Sequence, residues 1–349
     1  MALQGAEMKA LVLLFWMIEV CMPYDAKAAQ SNDTTVLITN FEGPRYLSEN
    51  LSTIMGLEVW RSVRGNEASQ DSTKVTRAAI RFFRNFLPQL SPQAAEEVGK
   101  TTNSQLVLWG YVQKYGPGIV LQTFLSASDA AANKMQWTVK HHEGVLELGL
   151  PTQTFEFSPI MLRNSIIKNY SNANAIQVCV VKQPSCLGSP LVSNFRVDSA
   201  NSDEEWVHIT QPDGSGGWVH IPKLADTESE VDAFTEGMVA YLRGNLDQAE
   251  KLFAAVDNQP GVQAVTRYNA LVLNGVAAAR QGSGIAQLER ALDFNPYSRY
   301  TVQAMIMGDV TTALREQDVS SRERSFEIAS DLIQKNQEFG TTDPWFIGA

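Results

Sequence analysis

The chain has 349 residues, of which 44% are hydrophobic, 19% charged and 9% aromatic, a make-up that excludes disordered, collagen-like and fibrous proteins. Lys and Arg number 28 against 38 Asp and Glu, a net charge of −10. That balance lacks the basic stripe that displaces counterions from nucleic acid, and it disfavours attachment to an anionic membrane. At this length two or three domains are expected.

Residues 1–28 read as an export signal. Lys9 gives a positive start, Ala10–Ile18 is an apolar run, and Ala26 and Ala28 put small residues at the −3 and −1 positions of a cleavage site. Met8 is an alternative start. The run, interrupted by Glu19, is too short to cross about 30 Å of hydrocarbon, so no stable membrane span is expected. Cys21 is not read as a lipid anchor, because Glu19 and Val20 precede it where small residues are wanted. The mature chain is expected to be periplasmic or secreted. It keeps two cysteines, Cys179 and Cys186, expected to close a short structural disulfide around Pro184 that contributes about 2–3 kcal/mol. A redox pair or half a metal site would need a CxxC spacing or further ligands, and two unpaired buried thiols are the other reading.

Residues 33–135 mix short strands and helices. Thr35–Thr39 is a β-branched run stopped by Asn40 and Gly43. Val75, Ala78, Ala79, Phe82 and Phe86 recur at spacings of three and four and predict an amphipathic helix. Ser91-Pro92 opens a second helix that stops near Gly99, with Ser91 as cap and Pro92 in the first turn. Gln105–Trp109 and Ile119–Phe124 are strands joined at Tyr115-Gly116-Pro117-Gly118. This order, with Ala95, Gly99, Leu106–Leu108 and Gly110 in the matching roles, resembles the N-terminal domain of the periplasmic protein TolB. Ser104 or Gln105 stands where that family has an acidic residue, and Leu51–Gln70 has no counterpart. The resemblance implies a small α/β protein-docking domain. Residues 136–175 read as a connecting segment.

Over residues 176–224 the hydrophobic period is two. Glu205-Trp206-Val207-His208-Ile209 and Gly217-Trp218-Val219-His220-Ile221 flank a Pro-Asp-Gly turn and predict a hairpin, with Gly188–Leu191 and Phe195–Val197 as further strands. The pattern resembles the bacterial SH3-type β-barrel. Alternation puts Trp206 and His208 on one face and Val207 and Ile209 on the other. Such a face would dock a peptide or glycan-peptide strand. The competing reading, which the usual burial of tryptophan favours, makes one of Trp206 and Trp218 core and the other a barrel cap.

From residue 230 to 320 the pattern is helical. Gly237, Gly244, Ala249 and Phe253 keep the spacing of a tetratricopeptide repeat, and Tyr268, Gly275, Gly282, Ala291 and Pro296 repeat it a few residues short. Thr301–Gly308 begins a capping helix, and 321–349 is a final helix and tail. The resemblance implies paired helices with a groove for an extended partner segment; a plain bundle with its apolar faces fully packed is the alternative.

No Walker, HExxH, GxSxG or dinucleotide motif is present. His141 and His142 read as surface, His208 and His220 as barrel positions, and the acidic runs Asp203–Glu205 and Asp226–Asp232 as solvated loop and linker. No catalytic, cofactor or metal residue is assigned. The expectation is a multidomain α+β protein: α/β domain, SH3-type barrel, C-terminal helical repeats. It would act as an exported non-catalytic adaptor for an envelope protein or peptide segment. The alternative is peptidoglycan binding through Trp206, His208, Trp218 and His220.

Overall fold

Strand β1 (Thr35–Asn40) is buried along its whole length, as its β-branched run requires when helices cover both faces of a parallel sheet. The structure, a computed structural model, describes residues 34–65, 79–141, 144–183, 186–200, 205–226, 229–316 and 318–336. The export signal, Val75, Ala78, His142 and the extreme C-terminal tail lie outside these residues.

After β1 the chain forms α1 (Arg45–Gly65), β2 (Ala79–Phe86), α2 (Pro92–Thr101) and β3 (Leu106–Tyr115). Strands β2 and β3 both run parallel to β1, on opposite sides of it. Strand β4 (Gly118–Ala127) returns antiparallel to β3 through the tight turn at Gly116-Pro117 expected from the sequence. Next come α3 (Asp129–Met135), the hairpin of β5 (Trp137–His141) and β6 (Gly144–Leu148), then β7 (Thr154–Glu156), β8 (Ile160–Met161) and α4 (Asn164–Tyr170). β7 and β8 pair with the free edge of β4, giving a six-stranded mixed sheet in the order β2-β1-β3-β4 with both short strands outermost. The segment 136–175, expected as a connector, thus completes the sheet.

Period two sorts the sheet's side chains. Val36, Ile38, Leu106 and Leu108 face α1, whose Leu51, Ile54 and Met55 are buried against them. Leu37, Val107 and Trp109 face Ala95 and Val98 of α2. Gly56 lets α1 lie close, because a side chain there would strike the Phe82 ring and Ile38. The Ser91 hydroxyl accepts from Ala94 N at 3.2 Å, so the expected cap of α2 forms.

The helix expected through Ala79, Phe82 and Phe86 is instead strand β2. Its Ile80 and Phe82 pack toward α1 and Phe83 toward α2. A bulge sets Asn40 opposite Phe86, and Asn40 Nδ2 donates to Arg84 O at 2.8 Å. The bulge breaks strict alternation between Phe83 and Phe86, so the four-residue step from Phe82 to Phe86 is no sign of a helical turn.

Residues 176–224 form β9 (Gln177–Val178), β10 (Ser189–Pro190), β11 (Arg196–Ala200), β12 (Trp206–Thr210) and β13 (Gly216–His220). The last three make an antiparallel meander, and β9 pairs with β10. A single bridge, Cys179 to Trp218, links the two ladders. Among the described residues the strands do not close into a barrel: β10 is two residues long and ends in Pro190, whose nitrogen cannot extend a ladder.

Six helices follow: α5 (Val231–Leu242), α6 (Leu246–Asn258), α7 (Ala264–Gln281), α8 (Ala286–Phe294), α9 (Arg299–Arg315) and α10 (Val319–Lys335). Sequential neighbours α5 to α8 pack pairwise, and α9 packs on α7, α8 and α10. Two close approaches recur, Gly237 under the Phe253 ring and Gly275 under Leu288. Phe234 of α5 meets Phe155 and Phe157 beside the sheet at ring distances of 5.1 and 5.4 Å. α5 also lies on α1. One apolar core therefore runs from Val36 to Ala329, and the fold is mixed α/β. No helix among the described residues is long and apolar enough to cross a membrane.

Candidate functional site

The alternation of β12 and β13 separates core from surface as expected. Val207, Ile209, Val219 and Ile221 are buried, while Trp206, His208, Trp218 and His220 are half-buried on the opposite face. Register places Trp206 directly across from His220, and His208 across from Trp218. The ring centroids of these pairs are 4.9 and 5.0 Å apart, the second pair edge-on. Neither tryptophan is core. All four residues singled out in the sequence stand in one outward aromatic stripe.

Charged groups frame the stripe. A bulge in β11 leaves Asp198 without a partner in the ladder to β12, and its carboxylate bonds across the sheet face. Thr210 Oγ1 donates to Asp198 Oδ2 at 2.6 Å and Arg196 Nε to Oδ1 at 2.8 Å, while His208 Nδ1 lies 3.0 Å from Oδ2. Burial, the largest single effect, pushes the Asp198 carboxyl up, but the hydrogen bonds from Thr210, Arg196 and His208 and the Arg196 charge together outweigh it and hold the group below its usual range. At the other end His220 Nε2 lies 3.3 Å from Glu205 Oε2.

The expected disulfide Cys179–Cys186 is present, with Cα atoms 5.9 Å apart. Backbone bonds between Cys179 and Trp218 at 2.8 and 2.7 Å clamp its loop to β13. Lys182, on that loop, sets its ammonium 4.0 Å from the centre of the Trp218 ring. The disulfide thus positions one rim of the stripe, and it leaves neither cysteine free to pair with a histidine as a nucleophile.

Beyond Glu205 the surface drops into a cleft of about 570 Å³ between α1, the segment after β13, and α5–α6. Glu58, Arg61, Glu205, Lys223, Asp226 and Asp232 are among the residues that line it. The acidic runs read as solvated loop and linker supply Glu205, Asp226 and Asp232. Burial, then the Asp232 carboxylate, pushes the Glu58 carboxyl up to about 7, against the pull of the Arg61 guanidinium 3.3 Å away. A carboxyl of that kind is part protonated at neutrality and can donate or accept a hydrogen bond. No group of three or more His, Cys, Asp or Glu placed to hold a metal ion occurs among the described residues.

Sequence reasoning missed Lys182, Asp198 and Glu58. Glu58 had a signal, a lone acid between Leu57 and Val59 in an apolar stretch. Asp198 had none, since a bulge is not visible in composition. His141 ends β5, a hairpin separate from the stripe.

No protein-family model matches the chain, and no curated protein is significantly similar to it. Fold and site together define a mixed α/β protein carrying a framed aromatic stripe.

Proposed function

We propose that this protein is an exported, non-catalytic adaptor that grips a peptide-like segment of an envelope component on the outer face of β11–β13. In this reading the N-terminal sheet is a TolB-like docking domain, the meander with β9–β10 is an open variant of the SH3-type module, and α5–α9 are tetratricopeptide-like helices. The single observation that carries the proposal is the stripe itself: four aromatic rings turned outward on two paired strands and framed by Asp198, Glu205 and Lys182. Tryptophan, here half-buried on an outward strand face, is among the residue types that anchor interfaces.

A photo-crosslinker placed at the exposed end of the stripe should capture one defined envelope protein in cells. Trp206→Ala and Trp218→Ala should abolish that capture while leaving the fold intact. Peptidoglycan is the alternative occupant, because ring faces also stack on sugars; purified cell wall should then pellet the wild-type chain and not the tryptophan variants. If neither occurs, the stripe is not a docking face. The Glu58 cleft favours a second reading, catalysis by a carboxyl poised near neutrality. A hydrolase panel in which wild type acts and Glu58→Gln does not would establish it.

A further inference from the structure

A separate cavity of about 300 Å³ opens at the C-terminal ends of β1 and β2, where parallel strands leave a crevice beside the following helix. Its charged lining is Arg84 from β2 and Glu49 from α1, with the amides of Asn40 and Asn50 beside them and Ile176 and Leu191 forming an apolar wall. Arg84 is half-buried, with its guanidinium 5.3 Å from the Phe82 ring centre and 5.6 Å from that of Phe195. Its Nη1 donates to Thr53 Oγ1 at 2.8 Å, and its buried Nε has no hydrogen-bond partner. Among the described residues no carboxylate forms an ion pair with it.

A guanidinium taken out of water is costly, and it stays charged at any physiological pH; burial works against its charge and the Glu49 carboxylate, not close enough for an ion pair, offsets only part of that. The aromatic rings fix it in place but do not neutralise it. An anion in the cavity would. The choice of anion is narrowed by Glu49, which pairs with the highly exposed Arg45 at 3.6 Å and also acts on Arg84 through its charge without forming an ion pair with it. A carboxylate in the same cavity repels phosphate and dicarboxylates and attracts an ammonium group. The Ile176 and Leu191 wall then suits an aliphatic side chain.

We infer that this cavity binds an apolar α-amino acid, with its carboxylate on Arg84, its ammonium toward Glu49 and its side chain against Ile176 and Leu191. The site is independent of the aromatic stripe, so it stands or falls separately from the adaptor reading.

Calorimetry on the full chain tests it with four probes: L-leucine, isocaproate (which lacks the ammonium), isopentylamine (which lacks the carboxylate) and inorganic phosphate. Leucine should bind at least about tenfold more tightly than any of the other three. Arg84→Met should abolish the leucine signal, and Glu49→Gln should reduce leucine to the affinity of isocaproate. Should Arg84→Met fail to fold, Ser193→Trp, on the exposed rim of the cavity, must block leucine while keeping the wild-type melting temperature. Absence of leucine binding up to about 10 mM, equal binding of isocaproate or phosphate, or undiminished binding by a folded Arg84→Met or by Ser193→Trp would each overturn the assignment.

Discussion

Trp206 and Val207 are neighbours in the chain with opposite duties. Val207 is fully buried and shares its core with Ile209 and Val219, so Val207→Ala should cost about 2–3 kcal/mol of stability through lost burial and a small cavity. Trp206 lies outside that core and gives up its contact with His220 when truncated; Trp206→Ala should cost less than about 1 kcal/mol. Urea denaturation of the two variants measures the contrast, and a large loss for Trp206→Ala would return that ring to a structural role. Gly237 makes a similar point inside the helices. A Cβ there would stand 2.8 Å from Phe253 Cε1, in a place where Phe253 is fully buried and also meets Phe234. Gly237→Ala should therefore destabilise by about 1–3 kcal/mol through overpacking, despite alanine's higher helix propensity. A thermal melt of that variant unchanged from wild type would show that α5 and α6 can slide apart freely.

At the scale of elements, the short loop closed by Cys179–Cys186 supports the stripe from one side. Opening it, by reduction or in a Cys179→Ala/Cys186→Ala variant, should cost about 2–3 kcal/mol and release Lys182 from Trp218. The first effect is read by denaturation, the second by a change in tryptophan fluorescence; fluorescence identical in both redox states would mean that the Cys179–Trp218 backbone clamp alone holds the loop. Elements with local signatures were legible in the sequence: the capped start of α2 at Ser91-Pro92, the turn at Gly116-Pro117, the alternation that divides Trp206 and His208 from Val207 and Ile209, and the close approach of Gly237 to Phe253. Elements that exist only through distant partners were not. β2 is a strand because β1 lies beside it, and β7 and β8 are strands because β4 has a free edge. The stripe could be read because its residues share two adjacent strands. The Glu58 cleft could not, because α1, the segment after β13 and α5–α6 meet there only after folding.

On the scale of the whole molecule, that same meeting place makes stability depend on pH. Ser62 of α1 donates to Glu236 of α5 at 2.8 Å, and Ser158 N donates to Glu230 at 2.6 Å, so the sheet and the helices are held together across polar contacts as well as through the shared core. Glu58 lies in this seam with Asp232 and Glu205 as like charges and Arg61 and Lys223 as opposing ones. Its carboxyl rises from 4.5 to about 7 on folding, so the folded state holds the proton more tightly than the unfolded chain does. Folding is then favoured below the unfolded value, and stability falls as pH rises from about 4.5 through 7, levelling off above that. Glu58→Gln removes the titration and keeps the shape, so the variant should be more stable than wild type at pH 8 by about 2–3 kcal/mol and should differ little at pH 4. Asp309, raised to about 6 chiefly by burial and then by Glu289, adds a slope of the same sign in both proteins, so it cancels when the two profiles are subtracted. Chemical denaturation across this pH range provides the difference curve. A flat curve, or a variant less stable at pH 8, would mean that Arg61 and Lys223 keep Glu58 ionised and that the seam gains from the charge.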